Sequence, residues 1–364
     1  MKIAHFLPSH ILMGSNLIHF FRVVLQLNFS MKGSIVMRLL TSFFILLLFT
    51  PFRIIESILY FFSKKVEVKQ PIFIVGHFRS GTTFFHDALN ELDTLVAPRM
   101  VDCLFPHLNK YFHFMLVPIL KKALPETRLM DKMKVRWYSP QEEEFALSLM
   151  TFNTSVSFLF APKNNSKKIN VSVVLNDERV KAKWLKAHLK FGMKLQSINK
   201  GKTLVFKSPS NTARIKEILE IYPDAKFIHI ARNPIDVIPS TINLYHKLLP
   251  EFSLQDASNV DITEYVFEFY EQVMQKYFEM KRTLYPTQLF ELKYEDFVEQ
   301  PIEMLDKAFN QLQVSAAVNE LEPFFRSRKK FNKNKFTLEE GLKKTIEKRC
   351  ASVFKEYNYS AYNK

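Results

Sequence analysis

The chain has 364 residues, of which 47% are hydrophobic and 24% charged, so it can bury a full core and is not wholly disordered. Its net charge of +15 favours an anionic partner, such as a polyanionic cofactor, an anionic lipid or a nucleic acid. Two cysteines, Cys103 and Cys350, exclude a disulfide framework and indicate a reducing compartment. The sequence contains no Cys/His cluster with zinc spacing and no recognisable nucleic-acid-binding motif.

The N-terminal stretch is strongly apolar and basic. Leu39 to Phe52 contains no charged residue, and Ile54 to Phe62 is again apolar, with Arg53 between the two runs. A helix that crosses a bilayer needs about 20 apolar residues, so a crossing here would have to include the arginine. We therefore expect residues 1–69 to form a membrane-associating helical region that lies at the interface without crossing, kinked at Pro51. A pair of helices that pack on the core of the protein is the alternative.

The segment PIFIVGHFRSGTTFF, residues 71–85, has the pattern of an anion-binding loop. Ile72 to Val75 is a short apolar run that predicts a buried strand, and it stops at Gly76. A loop follows as far as Gly81, and an apolar, helix-like segment comes next. Loop N–H groups and the positive end of a helix dipole together favour a bound anion. The segment therefore predicts a phosphate site between a strand and a helix.

This loop departs from the nucleoside triphosphate motif in one respect. The spacing Gly76-x4-Gly81 fits, but Thr82 and Thr83 stand where that motif has Lys and Ser/Thr. In such enzymes the lysine reaches the β- and γ-phosphates and the hydroxyl holds Mg²⁺. The cation here is Arg79, which precedes the second glycine. The loop suits an anion with fewer charges and no required metal, which disfavours a phosphotransferase.

Two other predicted strands also end in basic residues. Thr203 to Phe206 is a short apolar run followed by Lys207, and Phe227 to Ala231 is followed by Arg232. Because ligands of open α/β sheets bind at the carboxyl ends of the strands, we expect these cations and Arg79 to surround one ligand.

The segment after the second of these strands predicts the start of a helix. Asn233 is a favourable N-cap, and Pro234 suits the first helical position. Ser240 lies two turns into this helix, so Arg232 and Ser240 can face one phosphate. An ordinary strand-to-helix junction, in which the arginine pairs with Asp236, is the alternative.

The remaining pattern completes an α/β architecture. Gln288 to Leu292 predicts a fourth parallel strand, and Ile262 to Leu284 predicts a helix. Strands that alternate with helices indicate a doubly wound parallel sheet. Residues 99–138 and 145–200 lack the rhythm of strands, and we expect helices and loops that line an acceptor pocket.

These motifs resemble those of the sulfotransferases that use 3′-phosphoadenosine 5′-phosphosulfate (PAPS), in particular the bacterial branch. The family carries a strand followed by a basic residue and Ser-Gly-Thr-Thr, and further on an Arg and a Ser eight residues apart. The resemblance covers residues 70–364, which we expect to form the sulfotransferase domain. It implies the P-loop NTPase-like sulfotransferase fold, a central parallel sheet flanked by helices, here with an N-terminal apolar helical region. It also implies PAPS as the donor and adenosine 3′,5′-bisphosphate as the product, with no metal required.

The resemblance assigns roles to individual residues. It gives the 3′-phosphate to Arg232 and Ser240, and it makes Lys207 a second catalytic cation beside Arg79. A basic C-terminal loop would cover the adenosine 3′-phosphate, although these residues also suit a solvated charge run; the candidates are Arg328, Lys329 and Lys330. The 5′-phosphosulfate would be bound by the first motif, through His77, Arg79, Ser80, Gly81, Thr82 and Thr83.

The general base is less well defined by the sequence. Bacterial relatives often carry an acidic Pro-Gln-Glu-x-Glu-Phe stretch, which makes Glu142 or Glu144 a candidate. Acids in the first turn of a helix that simply complement its dipole are the alternative. His107 is the competing base, because cytosolic relatives use a histidine downstream of the first signature. A histidine beside apolar residues is also often structural. The segment Tyr294 to Phe297 resembles a further element of the family, in which the acids anchor structure.

The acceptor follows from the N-terminal region. An apolar segment at the bilayer surface would present the pocket to a lipid-like alcohol, such as a sterol or a hydroxylated lipid. We therefore expect a small-molecule hydroxyl acceptor, no nucleic acid, and association with the cytoplasmic face of a membrane. The alternatives are a carbohydrate or protein-tyrosine sulfotransferase, and a non-catalytic membrane-anchored nucleotide-binding protein.

Overall fold

The computed structural model describes residues 9–27, 33–127, 135–328 and 338–360. The chain divides into two compact units, which we describe separately. The first contains the described residues of 1–68, 98–200 and 246–260, and the second those of 69–97, 201–245 and 261–364. The chain first passes from the first unit to the second between residues 68 and 69, one residue before the predicted boundary at 69/70. That the N-terminal region is a domain of its own stays a prediction.

The described α-helices are α1 (Leu17–Val24), α2 (Gly33–Phe62), α3 (Thr82–Leu89), α4 (Met100–Leu104), α5 (His113–Ala123), α6 (Glu143–Ser148), α7 (Ser157–Phe160), α8 (Pro162–Asn165), α9 (Ile169–Ser172), α10 (Glu178–Ile198), α11 (Ile215–Ile221), α12 (Pro234–Phe252), α13 (Ile262–Lys281), α14 (Tyr294–Glu299), α15 (Pro301–Leu312), α16 (Glu322–Arg328), α17 (Glu340–Arg349) and α18 (Ala351–Tyr357). Short 3₁₀ helices cover Ile11–Gly14, Pro209–Ala213 and Val318–Leu321.

The second unit is built on a parallel five-stranded sheet, which confirms the predicted fold class. Its strands lie in the order β2-β3-β1-β4-β5, so that β3 and β4 flank β1. Three predicted strands shift by at most one residue at either end, and the two-residue strand β2 was not predicted. The strands are β1 (Ile72–Val75), β2 (Leu95–Val96), β3 (Thr203–Lys207), β4 (Lys226–Ala231) and β5 (Leu289–Lys293).

The two faces of β1 are both buried, as a continuous apolar run predicts for a parallel strand. On one face Phe73 stacks on Phe206 and Phe227, with ring centroids 5.1 and 5.7 Å apart. On the other face Ile72 and Ile74 join the core beneath α3 and α15. This packing fixes the carboxyl ends of β3, β1 and β4 side by side.

In the first unit, α2 is a continuous 30-residue helix that contains Pro51. It is long and apolar enough to span a membrane by length and composition, a test that buried core helices also pass. Its two central charges are buried, with Arg53 5% and Glu56 1% exposed. The Arg53 guanidinium bonds to the carbonyl oxygens of Leu46 and Met13 instead of leaving the helix for water. The helix therefore continues through the arginine that separates the two apolar runs, and the kink at Pro51 stays a prediction.

Candidate active site

Two glycines shape the loop between β1 and α3. Gly76 has φ +137°, and a Cβ atom there would lie 2.6 Å from the carbonyl oxygen of Ile230. Gly81 has φ +100°, and a Cβ atom there would lie 2.2 Å from the ring of Tyr294. Both positions combine a left-handed backbone with a close neighbour, so only glycine fits. The two glycines of the sequence motif are thus required by the conformation of the loop itself.

Hydrogen bonds hold the loop in place from both sides. The Thr212 hydroxyl accepts from the N–H of Gly76 at 2.7 Å, which ties the loop to the 3₁₀ helix after β3. The Ser80 hydroxyl donates to the carbonyl of His77 at 2.8 Å. Arg79 adopts a left-handed φ of +67° although it is not glycine. Its carbonyl accepts from Nη1 of Arg232 at 3.0 Å, so a residue of β4's carboxyl end supports this strained position.

The side chains of the loop meet cations and hydroxyls from neighbouring elements. Nε of Arg79 donates to Oγ of Ser240 on α12 at 2.9 Å. Nζ of Lys207, at the end of β3, donates to Oγ1 of Thr83 in the first turn of α3 at 3.3 Å. Lys207 is 2% exposed. The lysine that the loop lacks in sequence is thus replaced in space by one from the adjacent strand.

The N-terminus of α3 suits an anion. Gly81 is its N-cap and has no side chain to cap the first turn. The first N–H groups of a helix need an acceptor and carry the positive end of its dipole. An anionic group at this end would supply that acceptor, which supports the prediction made for the first motif.

Arg232 sits between an aromatic ring and a carboxylate. Its Cζ lies 4.5 Å from the centroid of the Tyr294 ring, and Nη2 lies 3.6 Å from Oδ2 of Asp236. The helix start that follows matches the prediction, since Oδ1 of Asn233 accepts from the N–H of Ile235 at 3.0 Å. The contact with Asp236 that we considered as the alternative is present, in addition to the bond from Arg232 to the loop.

Tyr294 is a site residue that the sequence did not single out. Its ring covers Gly81 and stacks on Arg232. Burial raises the pKa of the Tyr294 hydroxyl, while the charges of Arg232 and Arg79 act in the opposite direction. The signals in the sequence are its position directly after β5, at the sheet edge where the basic residues lie, and the resemblance of the segment Tyr294 to Phe297 to an element of the family.

His77 contributes less than its place in the motif indicates. Its ring packs against Phe78, Phe269 and Tyr270, and it is 3% exposed. Burial lowers the pKa of His77 to about 3, so the imidazole is neutral near pH 7. The ring therefore adds no charge to an anion site, and a contact of His77 with the 5′-phosphosulfate stays a prediction.

The predicted C-terminal basic loop is described only at its start. Arg328 is the last residue of α16, and its Cζ lies 3.7 Å from the centroid of the Phe324 ring. Lys329 and Lys330 lie outside the described residues. Their predicted contact with the 3′-phosphate stays a prediction.

The three candidate bases belong to the first unit. Glu142 is the half-buried N-cap of α6, whereas Glu144 lies in its first turn and is 1% exposed. The Glu144 carboxylate accepts from the N–H and hydroxyl of Ser155, at 2.9 and 3.1 Å, and from Nε1 of Trp184 at 3.4 Å. These donors anchor Glu144 in its own unit.

Burial lowers the pKa of His107 to about 3, and the charges of Lys194, Arg53 and Lys190 lower it further. A group with so low a pKa is a weak proton acceptor near neutral pH. Among the described residues, no group of three or more His, Cys, Asp or Glu side chains could hold a metal ion.

We next compared the chain with known protein families, curated sequences and solved structures. Residues 71–317 match the model of a family described as the sulfotransferase family. Two curated relatives, ω-hydroxy-β-dihydromenaquinone-9 sulfotransferase Stf3 of Mycobacterium bovis and of Mycobacterium tuberculosis, are each 27% identical over 310 residues, which is 82% of this chain and 78% of theirs.

Solved structures show the same fold at low sequence identity. Sulfotransferase STF1 from Mycobacterium tuberculosis has a TM-score of 0.63 at 14% identity and covers 92% of this chain and 90% of its own. Sulfotransferase STF9 from Mycobacterium avium has a TM-score of 0.60 at 15% identity, with 81% and 78% covered. Since the family match includes the loop, Lys207, Arg232 and Tyr294 and extends over most of the sequence, the chain belongs to the sulfotransferase family.

Proposed function

We propose that this sulfotransferase transfers a sulfuryl group from PAPS to the hydroxyl group of a lipid-like alcohol and releases adenosine 3′,5′-bisphosphate. The observation that carries the donor assignment is the set of three cations at one edge of the sheet. Arg79 follows β1, Lys207 ends β3 and Arg232 follows β4, and these strands are neighbours. A donor with two separate phosphate positions matches such a set better than a single phosphate does.

Different residues of the second unit would bind different parts of the PAPS molecule. The N-terminus of α3, with Ser80, Thr82 and Thr83, would bind the 5′-phosphosulfate, and Arg232 with Ser240 would bind the 3′-phosphate. Arg79 already bonds to Ser240 across these two groups. Because its guanidinium carries several N–H donors, Arg79 can interact with either phosphate position, whereas the single ammonium group of a lysine could not donate in both directions so readily.

When bound, PAPS supplies a sulfuryl group on a phosphate leaving group. The task of the protein is to stabilise the negative charge that shifts to the leaving side during transfer. Lys207 and Arg79 are the residues we assign to this task, because both are held next to the first turn of α3 or the loop before it. Lys207 Nζ is fixed at the Thr83 hydroxyl, so little reorganisation of this cation is needed.

The general base stays a proposal among Glu142, Glu144 and His107. Glu142 is the first to test, because the Glu144 carboxylate already accepts three hydrogen bonds and burial makes His107 weakly basic.

The acceptor class rests on two independent observations. The Stf3 relatives are named for a hydroxylated menaquinone, which is a lipid. The first unit carries a long apolar helix, α2, with an exposed apolar side. Together they favour a hydroxylated lipid over a sugar or a tyrosine peptide. Membrane association at the cytoplasmic face belongs to the same proposal, and the two buried free cysteines, Cys103 and Cys350, suit that reducing compartment.

The test is transfer of radiolabelled sulfate from PAPS to four acceptors, namely a hydroxylated menaquinone, a sterol, a glycan and a tyrosine peptide. We expect transfer to one or both lipids. Transfer confined to the glycan or the peptide would reject the lipid acceptor and leave the donor assignment intact. Calorimetry with adenosine 3′,5′-bisphosphate tests the donor separately, and absence of binding would reject PAPS.

A further inference from the structure

One side of α2 is exposed and apolar along its length. Large side chains on it remain in contact with solvent, and α1 extends the surface through Ile18 and Leu25, which are 67% and 73% exposed. We call this surface the apolar face. Its α2 members that are more than half exposed are Met37, Phe44, Leu48, Ile54, Ile58, Phe61 and Phe62. An apolar surface of this extent on a folded protein marks a partner or a membrane.

The charges of α2 lie away from the apolar face. Arg53 and Glu56 are buried, and they are two of the three charged residues between Gly33 and Phe62. The third, Arg38, directs its guanidinium to the backbone carbonyls of Glu251 and Ser253. The apolar face therefore presents no charge over a helix of 30 residues, about 45 Å long.

Buried polar contacts fix the opposite side of α2 to its own unit. Near the middle of the first half, the Ser42 hydroxyl accepts from the N–H of His10 at 2.7 Å. Further along, the Glu56 carboxylate accepts from the N–H groups of Lys110, Tyr111 and Phe112 and forms an ion pair with Lys194.

These contacts argue against a membrane crossing by α2. A helix that crosses is surrounded by lipid or by other membrane-embedded segments, and a charged residue in hydrocarbon is costly. Arg53 and Glu56 keep their partners only if this side of α2 remains on the protein. A helix that lies along the membrane plane satisfies both sides at once, since one side faces protein and the other faces acyl chains.

A basic cluster adjoins the C-terminal end of the apolar face. Lys64 and Lys65 follow α2 directly and are exposed. Lys186 and Lys190 belong to the same cluster, because they lie two turns and one turn before Lys194 on one side of α10, and Lys194 pairs with Glu56 of α2. The charge of Lys65 contributes to the lowered pKa of Lys190, in agreement with this placement. Cations at the rim of an apolar surface complement the negative headgroups of an anionic leaflet. A protein partner would not require so long an uncharged stripe next to this cluster.

We propose that the apolar face of α1 and α2, with the basic cluster of Lys64, Lys65, Lys186 and Lys190, binds in the plane of an anionic bilayer, and that α2 does not cross it. This inference deepens the membrane association proposed above by naming the surface, the lipid charge and the orientation of α2. It does not depend on the identity of the acceptor.

Sedimentation of the full chain with vesicles tests the partner. Vesicles of phosphatidylcholine alone are compared with vesicles that also contain phosphatidylserine. We expect stronger binding to the anionic vesicles, and we expect this additional binding to disappear at high salt. The triple variant Phe44→Ser/Leu48→Ser/Ile58→Ser should lose binding to both kinds of vesicle. Because these side chains are exposed, the variant should keep its fold, and Tyr285→Ser, at a 72% exposed aromatic elsewhere, is the matched control.

The charge of the lipid is tested by a second variant. The variant Lys64→Gln/Lys186→Gln/Lys190→Gln should bind phosphatidylcholine vesicles like the parent but lose the additional binding that phosphatidylserine causes. Lys167→Gln, at an exposed lysine outside the cluster, should keep this additional binding. Failure of the parent chain to bind either kind of vesicle would overturn the proposal. So would a parent dimer that the apolar triple variant converts to a monomer, since the occupant would then be a second copy.

Labelling at the two ends of α2 tests its orientation. Single cysteines are introduced by Ser34→Cys and Lys64→Cys, both at exposed positions, while the native Cys103 and Cys350 are buried. A thiol reagent that does not permeate membranes should reach both ends in sealed vesicles. Protection of one end would show a crossing and reject the in-plane orientation. Sulfate transfer in detergent is measured in parallel, so that failure of the enzyme is distinguished from failure of the membrane surface.

Discussion

Arg79 donates a hydrogen bond from Nε to the hydroxyl of Ser240 at 2.9 Å, and this contact joins the two family signatures. The first signature lies at the start of α3 and the second at the start of α12. The same arginine is linked through its carbonyl to Arg232 at 3.0 Å. The loop, the guanidinium and α12 are therefore joined by hydrogen bonds within the proposed anion site, and a change at one of these residues should alter the positions of the others.

Ser240→Ala should weaken binding of adenosine 3′,5′-bisphosphate. The substitution removes a hydrogen bond to a charged group, which is worth roughly 1.5–3 kcal/mol, or about ten- to a hundredfold in Kd. Calorimetry measures the change, and Asn243→Ala one turn further along α12 serves as the control. An unaltered Kd for Ser240→Ala would remove Ser240 from the 3′-phosphate site.

Lys207→Met should abolish most of the sulfate transfer while leaving the fold in place. Methionine keeps an unbranched side chain at this buried position and removes the charge together with the hydrogen bond to Thr83. We expect kcat to fall by about 100- to 1,000-fold, the range for loss of one transition-state donor. Affinity for adenosine 3′,5′-bisphosphate should fall much less. Equal losses in affinity and kcat would indicate that Lys207 binds the nucleotide without a special part in transfer.

Tyr294 should act through its ring and not through its hydroxyl. Tyr294→Phe keeps the ring over Gly81 and Arg232, so the KM for PAPS should hardly change. Tyr294→Ala removes a cation–π contact worth roughly 0.5–2 kcal/mol and frees the loop, so the KM should rise by up to about thirtyfold. If the phenylalanine variant is as impaired as the alanine variant, the hydroxyl contacts the ligand directly.

His77 should make the protein less stable in acid. Its pKa is lowered by burial from 6.5 to about 3, so the unfolded chain takes up a proton that the folded chain does not. Stability is therefore complete above about pH 6.5 and falls as the pH drops toward 3. Unfolding by urea at a series of pH values gives the slope of stability against pH.

His77→Gln should flatten that slope, because glutamine does not titrate. The comparison uses the slope and not the absolute stability, since the substitution also alters packing against Tyr270 and Phe269. His246→Gln, at an exposed histidine, is the matched control. An unchanged slope in His77→Gln would assign the acid sensitivity to other titratable groups, such as the buried His107.

Local sequence was sufficient for the framework of the site. The apolar run from Ile72 to Val75, ended by Gly76, has the composition of a buried parallel strand, and β1 covers these residues. The same logic located β3, β4 and β5, and with them the positions of Lys207 and Arg232. β2 escaped prediction because Leu95 and Val96 alone make no run, and their pairing depends on β3.

Contacts between distant segments were beyond the reach of local patterns. Tyr294 covers Gly81 because the carboxyl end of β5, two strands away from β1, lies at the same edge of the sheet as the loop, which depends on the strand order. His77 is neutral because Phe269 and Tyr270 of α13 surround it. The acids at Glu143 and Glu144 do lie in the first turn of α6, as the structural alternative had it. That Glu144 is held by Ser155 and Trp184 could not be inferred from its neighbours in sequence.

The carboxylate of Glu56 has a consequence for any attempt to shorten the protein. Deleting α2 to improve solubility would strip the start of α5 of its acceptor and Lys194 of its counter-ion, and would expose the apolar residues that α2 covers. Even replacing Glu56 alone would leave the buried ammonium of Lys194 without its partner, which costs about 3–5 kcal/mol, a large share of the stability of an ordinary domain. Replacing the exposed apolar residues of α2 one at a time is therefore the better route to a more soluble enzyme.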